Sequence, residues 1–304
     1  MAQGKRLEWP TVAMLAASYA VWLLGTQIWH STGPMSVVLT GIAVAQFSSL
    51  QHEVLHGHPF RRQWLNEALV FPALALCVPY LRFKDTHLQH HYDPALTDPY
   101  DDPESNYMDP EVWAKTSRLM QKLLRINNSL LGRVLLGPAL GTFLFLRAEW
   151  ALIWAGAPRV RLAWALNMVG VAMVLAWLRW AGMPILAYVA AVYLGTALLK
   201  IRTYLEHRAH EAFRARTVIV EDRGPLSYLF LNNNFHVVHH MHPNVPWYEL
   251  PAMYEARREH YQRRNEAYVY RNYAEIFRRY LLKAKDPVPH PVWPVRKSDP
   301  SDAV

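Results

Sequence analysis

Residues 162–199 read LAWALNMVGVAMVLAWLRWAGMPILAYVAAVYLGTALL, and Arg179 is the only charged side chain among them. On either side of it lie runs of 17 residues (162–178) and 20 residues (180–199) with no charge at all. A hydrocarbon core about 30 Å thick takes about 20 helical residues, so each run is long enough to cross a bilayer. One arginine between two such runs leaves room only for a tight outer turn, which predicts a membrane hairpin.

The pattern returns towards the N-terminus. Runs 11–29 and 35–51 are uncharged over 19 and 17 residues, and residues 30–34 between them hold neither Lys nor Arg. They predict a second hairpin. Lys5-Arg6 ahead of the first run imitates a secretory signal, but that run is long and ends in Trp29-His30, without a small-residue cleavage site, so it reads as a retained anchor. With two hairpins, only Arg179 of the 32 Lys and Arg falls in an outer loop, which gathers the other 31, Lys5, Arg6, Arg61, Arg62, Lys200 and Arg202 among them, on one side. The positive-inside rule makes that side cytoplasmic, together with both termini. The net charge of +8 is then a matter of topology and anionic headgroups, and nucleic acid is not an expected partner.

Composition closes other routes. A chain 52% hydrophobic and 18% charged is too apolar for disorder. A single cysteine, Cys77, excludes a disulfide framework, an iron–sulfur cluster and any Cys-rich zinc module within the chain. Segments 68–81 and 134–146 are uncharged over 14 and 13 residues, short for crossing, and read as interfacial or re-entrant helices. Segment 93–110, with Pro94, Pro99, Pro103, Pro110 and six acids (Asp93, Asp98, Asp101, Asp102, Glu104, Asp109), reads as a loop; Asp93, Asp98, Asp101 and Asp102 could be outer partners of the histidines at 87–91, although most read as solvated. Pro251 suits the first turn of a helix, and Tyr273, Ile276, Phe277 and Tyr280 recur at helical spacing beside basic residues. The expected fold is an all-α integral membrane protein. It has four transmembrane helices in two hairpins (about 11–29, 35–51, 162–178 and 180–199), re-entrant or interfacial helices and a cytoplasmic histidine-rich cap. Residues 1–285 form one membrane domain, and 286–304 an extended Pro-rich tail.

Nine of the 15 histidines fall into a pattern. His52 and His56 lie in HEVLH at the end of the second run; His87, His90 and His91 form HLQHH; His236, His239 and His240 form HVVHH; His207 closes RTYLEH after the fourth run. Residues three and four apart share a helix face, so each cluster presents its rings in one direction. Neutral imidazole binds zinc, copper, nickel and iron, and nine such ligands exceed what one tetrahedral zinc uses and suit two metals. His58, His210 and His242 neighbour the clusters off their spacing and read as outer or surface residues; His260 and His290 read as solvated. HEVLH alone also matches the HExxH of zinc proteases, but a zinc protease leaves the other two clusters unused. With two metals, Glu53 is expected to orient a histidine instead. Asn232–Asn234 stand where they could cap the helix bearing His236.

HxxxH, HxxHH and HxxHH, in this order between apolar runs, resemble the three histidine boxes of the membrane fatty acid desaturase superfamily. NNNFHVVHHMHPNVPWYELP (232–251) is similar to the surroundings of the third box, and RTYLEH to the place of a lone extra ligand. The resemblance covers roughly residues 52–251. It implies two iron ions held without haem, O2 as co-substrate, a lipid or acyl substrate, and the ligands His52, His56, His87, His90, His91, His207, His236, His239 and His240. It implies desaturation first; hydroxylases, acyl decarboxylases and carotenoid ketolases share the boxes, and MHPNVPWYELP also resembles the ketolases. Stearoyl-type members carry Asn four residues before the lone histidine, where this chain has Thr203. No haem-binding HPGG, cysteine set or Gly-rich nucleotide motif occurs, so the resemblance implies a separate electron donor, a ferredoxin, a rubredoxin or a cytochrome b5-like carrier. Arg257, Arg258, Arg263 and Arg264 could steer such an acidic carrier, or simply face solvent.

Overall fold

The computed structural model describes residues 7–294, so Lys5, Arg6 and the tail beyond residue 294 lie outside the described residues. The longer elements are α1 (Trp9–Gln27), α2 (Pro34–Leu55), α3 (Tyr80–His90), α4 (Leu130–Trp154), α5 (Pro158–Ala181) and α6 (Ile185–Thr203). Shorter ones follow: α7 (His236–Met241), α8 (Leu250–Ala256), α9 (Arg258–Arg264) and α10 (Tyr273–Tyr280). Two short strands, β1 (Ile219–Val220) and β2 (Val269–Tyr270), pair in parallel. The chain divides into two compact units, Met1–Lys84 with Pro138–Leu199, and Asp85–Gly137 with Lys200–Val304.

Among the described residues α1, α4, α5 and α6 are the four helices long and apolar enough to cross a membrane. The all-α membrane architecture is as expected: runs 11–29, 162–178 and 180–199 fall largely in α1, α5 and α6, and α4 is a further candidate by length and composition. Run 35–51 lies in α2, whose apolar residues are diluted by Ser36, Thr40, Gln46, Ser49 and Gln51; α2 is the most deeply buried of the long helices. A Cβ on Gly41 of α2 would stand 2.9 Å from the Ala191 carbonyl oxygen, and one on Gly195 2.7 Å from that of Gly41. α2 and α6 therefore touch backbone to backbone, as small residues permit between apolar helices.

Segment 134–146, expected to be interfacial, is the middle of the 25-residue α4. Arg147 and Glu149 cut the uncharged run in the sequence without ending the helix. Glu149 is 3% exposed and receives two Arg82 nitrogens, Nε at 2.8 Å and Nη2 at 2.8 Å, and the Trp164 indole N–H at 3.1 Å. A buried charge is tolerated when it is paired and hydrogen-bonded. Polar atoms elsewhere in the unit are likewise met: Trp22 Nε1 donates to Tyr188 OH (3.1 Å), which donates to the Leu74 carbonyl (2.8 Å), and Trp177 Nε1 donates to Thr26 Oγ1 (2.9 Å). Segments that face hydrocarbon have no water to do this.

The second unit packs around Ile219, Phe235, Val237, Val238, Leu250, Tyr254 and Tyr261. Val237 and Val238 anchor α7 in this core and leave its histidines on the other side of a two-turn helix. Past α10 the chain turns back as a strap: Val288 O accepts from Met108 N (2.9 Å), and Met108 O from His290 N (2.8 Å). Tyr107 OH bonds Asp286. His290, expected to be solvated, is 2% exposed beneath Tyr107, with Nε2 3.1 Å from Thr97 Oγ1. The strap supplies the cover that a free tail would not.

Candidate metal centre

Three stretches of the second unit bring seven of the nine predicted histidines together. α3 carries His87 and His90, three residues apart, and the His91 N–H still reaches the His87 carbonyl at 3.1 Å, so one helical face continues through all three. α7 carries His236, His239 and His240. His207 follows α6 on an extended stretch pinned by an antiparallel bridge to Thr217 and by the Val218 N–H on the Glu206 carbonyl (3.0 Å).

The ring nitrogens converge. His90, His207, His236 and His240 each offer a nitrogen within 4.8 Å of the others. His207 Nε2 is 2.9 Å from His90 Nε2 and 3.1 Å from His236 Nε2. Beside them His91 Nε2 is 2.9 Å from His87 Nε2 and 3.1 Å from His239 Nε2. Adjacent ligands at right angles on a metal with bonds of about 2.1 Å stand about 3.0 Å apart.

Outward-facing nitrogens meet fixed acceptors. His87 Nδ1 donates to Glu104 (2.8 Å), His90 Nδ1 to Asp102 (2.7 Å) and His236 Nδ1 to Asn233 Oδ1 (3.1 Å). Each bond puts a proton on Nδ1 and leaves Nε2 as the inward donor atom, the arrangement that orients metal-bound imidazoles. His90 and His236 thus both turn Nε2 towards His207 Nε2. One proton among these three atoms satisfies one contact and leaves two lone pairs facing across the other. A cation at their centre removes that conflict, so this donor set fits a metal.

Electrostatics point the same way. Burial pulls His87 down, and it pulls His207 and His236 well below the usual imidazole range, with neighbouring rings adding to it. These three are neutral, as ligands must be. Burial also opposes charge on His90, but Glu104 and Asp102 outweigh it and raise that ring to about 9. Glu104 itself, although burial pushes it up, is held well below the usual carboxylate range by His90 and His87. The carboxylates supply negative charge to balance cations placed among neutral rings.

His52 and His56 sit in the first unit, at the last turn and C-cap of α2, with ring centroids 5.0 Å apart. Nearby, His58 Nδ1 bonds Glu8 (2.7 Å) and lies 3.9 Å from Glu53. Asn232–Asn234 do not cap α7, whose N-cap is Phe235 with no side-chain cap. Asn233 holds His236 instead.

The sequence matches the family described as Fatty acid desaturase over residues 27–272. The chain belongs to the fatty acid desaturase family. That span contains all nine histidines and α2 to α6, while α1 lies ahead of it except for Gln27. Membership makes this desaturase-family chain an oxidoreductase of the membrane, and its histidine clusters are compatible with bound metal. Comparison with curated protein sequences found no match. Within the family's region, Asp102, Glu104 and Asn233 bond the clustered rings and Glu206 bonds Asn233, contacts that histidine spacing does not reveal. The only sequence signal for the first two was their density in a proline-rich loop beside HLQHH.

Proposed function

We propose that this chain is an O2-dependent oxidoreductase that introduces a double bond into a fatty acyl or lipid chain, using two irons. The observation that carries it is the convergence of seven imidazoles: six have Nε2 contacts of 2.9–3.1 Å, and His240 offers a nitrogen within 4.8 Å of those of His90, His207 and His236. His52 and His56 complete the set of nine on the family's pattern and on their own pairing at the end of α2. Imidazole binds several transition metals, and the family favours iron. Bound iron supplies reduction of O2 and removal of hydrogen from an unactivated C–H bond.

The chain's own residues orient and exclude. Asp102, Glu104 and Asn233 hold three rings in one tautomer, and buried side chains around α7 keep water from their outer edges. The substrate is a membrane lipid, which can reach the centre from the bilayer sideways. Electrons come from a separate ferredoxin, rubredoxin or cytochrome b5-like carrier. With α2 as the return crossing of α1 and α4 at the interface, both termini and the centre face the cytoplasm, as the placement of Lys and Arg about two hairpins supports.

The test is mass spectrometry of lipids and pigments from a host expressing the chain, beside a His239→Ala control, with metal analysis of the purified protein. New acyl double bonds absent from the control, with about two irons per chain, are expected. Oxygenated lipids or carotenoids would replace desaturation by hydroxylation or ketolation, and one zinc per chain would overturn the di-iron assignment.

A further inference from the structure

Of Glu104, Asp102 and Asn233, which meet Nδ1 atoms of the clustered rings, Asn233 is the neutral one, and it has a second partner. Its Oδ1 takes the His236 Nδ1 proton at 3.1 Å, while its Nδ2 donates to Glu206 Oε1 at 3.2 Å. That same Glu206 oxygen lies 2.8 Å from Arg202 Nε. His236, Asn233 and Glu206 are 1%, 3% and 6% exposed. Water is therefore a poor substitute for any link in the chain from Arg202 to His236.

An amide is nearly symmetric in shape, and a half-turn exchanges its oxygen and its NH2. With the NH2 facing His236, the ring would have to accept at Nδ1 and carry its proton on Nε2, the atom turned towards His207 and the centre. A carboxylate accepts hydrogen bonds and cannot donate them. Glu206 therefore fixes which end of Asn233 faces it, and with that which end faces His236.

We propose that Glu206 and Asn233 are positioning residues that together set the His236 tautomer: Glu206 orients the Asn233 amide, and the amide keeps the His236 proton on Nδ1 so that Nε2 remains a metal donor. The assignment rests on the metal-centre reading given above, and it goes beyond the histidine boxes to two residues outside them. It also explains an amide at 233, where a carboxylate would face Glu206 as a like charge.

The experiment uses the full-length chain in nanodiscs, comparing wild type with Asn233→Leu, Asn233→Asp, Glu206→Gln and the double variant Glu206→Gln/Asn233→Asp. Iron retention against a chelator and Mössbauer spectra are read on the iron-loaded protein. The 15N spectrum of histidine-labelled, metal-free protein reads the tautomer directly. Asn233→Leu and Asn233→Asp should each weaken iron retention about 10–100-fold. The double variant reverses the bond between positions 206 and 233 yet still offers His236 an acceptor, so retention and the wild-type spectrum should return. Wild-type retention and spectra in both Asn233 single variants would overturn the proposal. So would a double variant no better than Asn233→Asp. If wild type took up no iron, the metal assignment would fall by itself. The Nδ1–H signal of His236 would then decide the relay: its loss in Asn233→Leu and return in the double variant would support it, and its persistence in Asn233→Leu would overturn it.

Discussion

His90 and Asp102 share a hydrogen bond of 2.7 Å in which both side chains are 1% exposed. The second Asp102 oxygen accepts from the Thr97 N–H at 2.8 Å. Thr97 has φ of +70°, a left-handed conformation that a β-branched residue adopts at a cost of about 1–3 kcal/mol. Asp102 thus spends one oxygen on the His90 ring and the other on holding a strained loop in shape.

Asp102→Asn must turn its NH2 towards either His90 or the Thr97 N–H, and one of the two bonds is lost. Metal retention is expected to weaken about 10–100-fold, as for other outer partners of metal-bound histidines. Competition with a coloured chelator measures it. Unchanged retention would remove Asp102 from the support of His90.

Alanine at any one of His87, His91, His236 or His240 is expected to abolish turnover, because each removes one of the proposed ligands. Lipid mass spectrometry of expressing cells reads the outcome. Near-normal product from two such variants would break the ligand assignment.

Acid should weaken the strap. Burial, with Arg216 adding to it, pulls His290 down to about 4, against about 6.5 for a free imidazole. Between those values the unfolded chain binds a proton that the folded chain refuses, so stability is full above about pH 6.5 and drains as pH falls through about 4. The wild-type melting midpoint should therefore drop further between pH 7 and pH 4 than that of His290→Gln. Equal drops would show that His290 carries no such linkage.

Glu149→Leu leaves the Arg82 guanidinium without its carboxylate inside an apolar unit. Removing one partner of such a pair costs about 3–5 kcal/mol, whereas replacing both with apolar residues is often neutral. Thermal unfolding in detergent should show a large loss for the single variant and recovery in Arg82→Leu/Glu149→Leu. A single variant as stable as wild type would show that Glu149 does not carry α4 through its charged turn.

The histidines were legible because ligand spacing is local: three or four residues along one helix suffice to aim two rings together. The all-α membrane character was legible for a similar reason, since 162–178 and 180–199 each form nearly a whole helix in one uncharged run. α4 was not, because Glu149 is neutralised by Arg82, which is distant in sequence. Asp102 and Glu104 looked like solvated loop acids for the same reason. Only the folded loop turns them inwards, and only a strap from residues 286–290 makes His290 its neighbour. Asn233 was noticed for its capping chemistry, yet its partner is a side chain of the helix it was expected to begin.

The line from His290 through Thr97 and Asp102 to His90 spans nearly the whole length of the second unit's sequence. During synthesis every imidazole of the cluster leaves the ribosome before the wedge that braces its carboxylate shell. The brace on the carboxylate that orients His90 is thereby completed only once residue 290 has been translated.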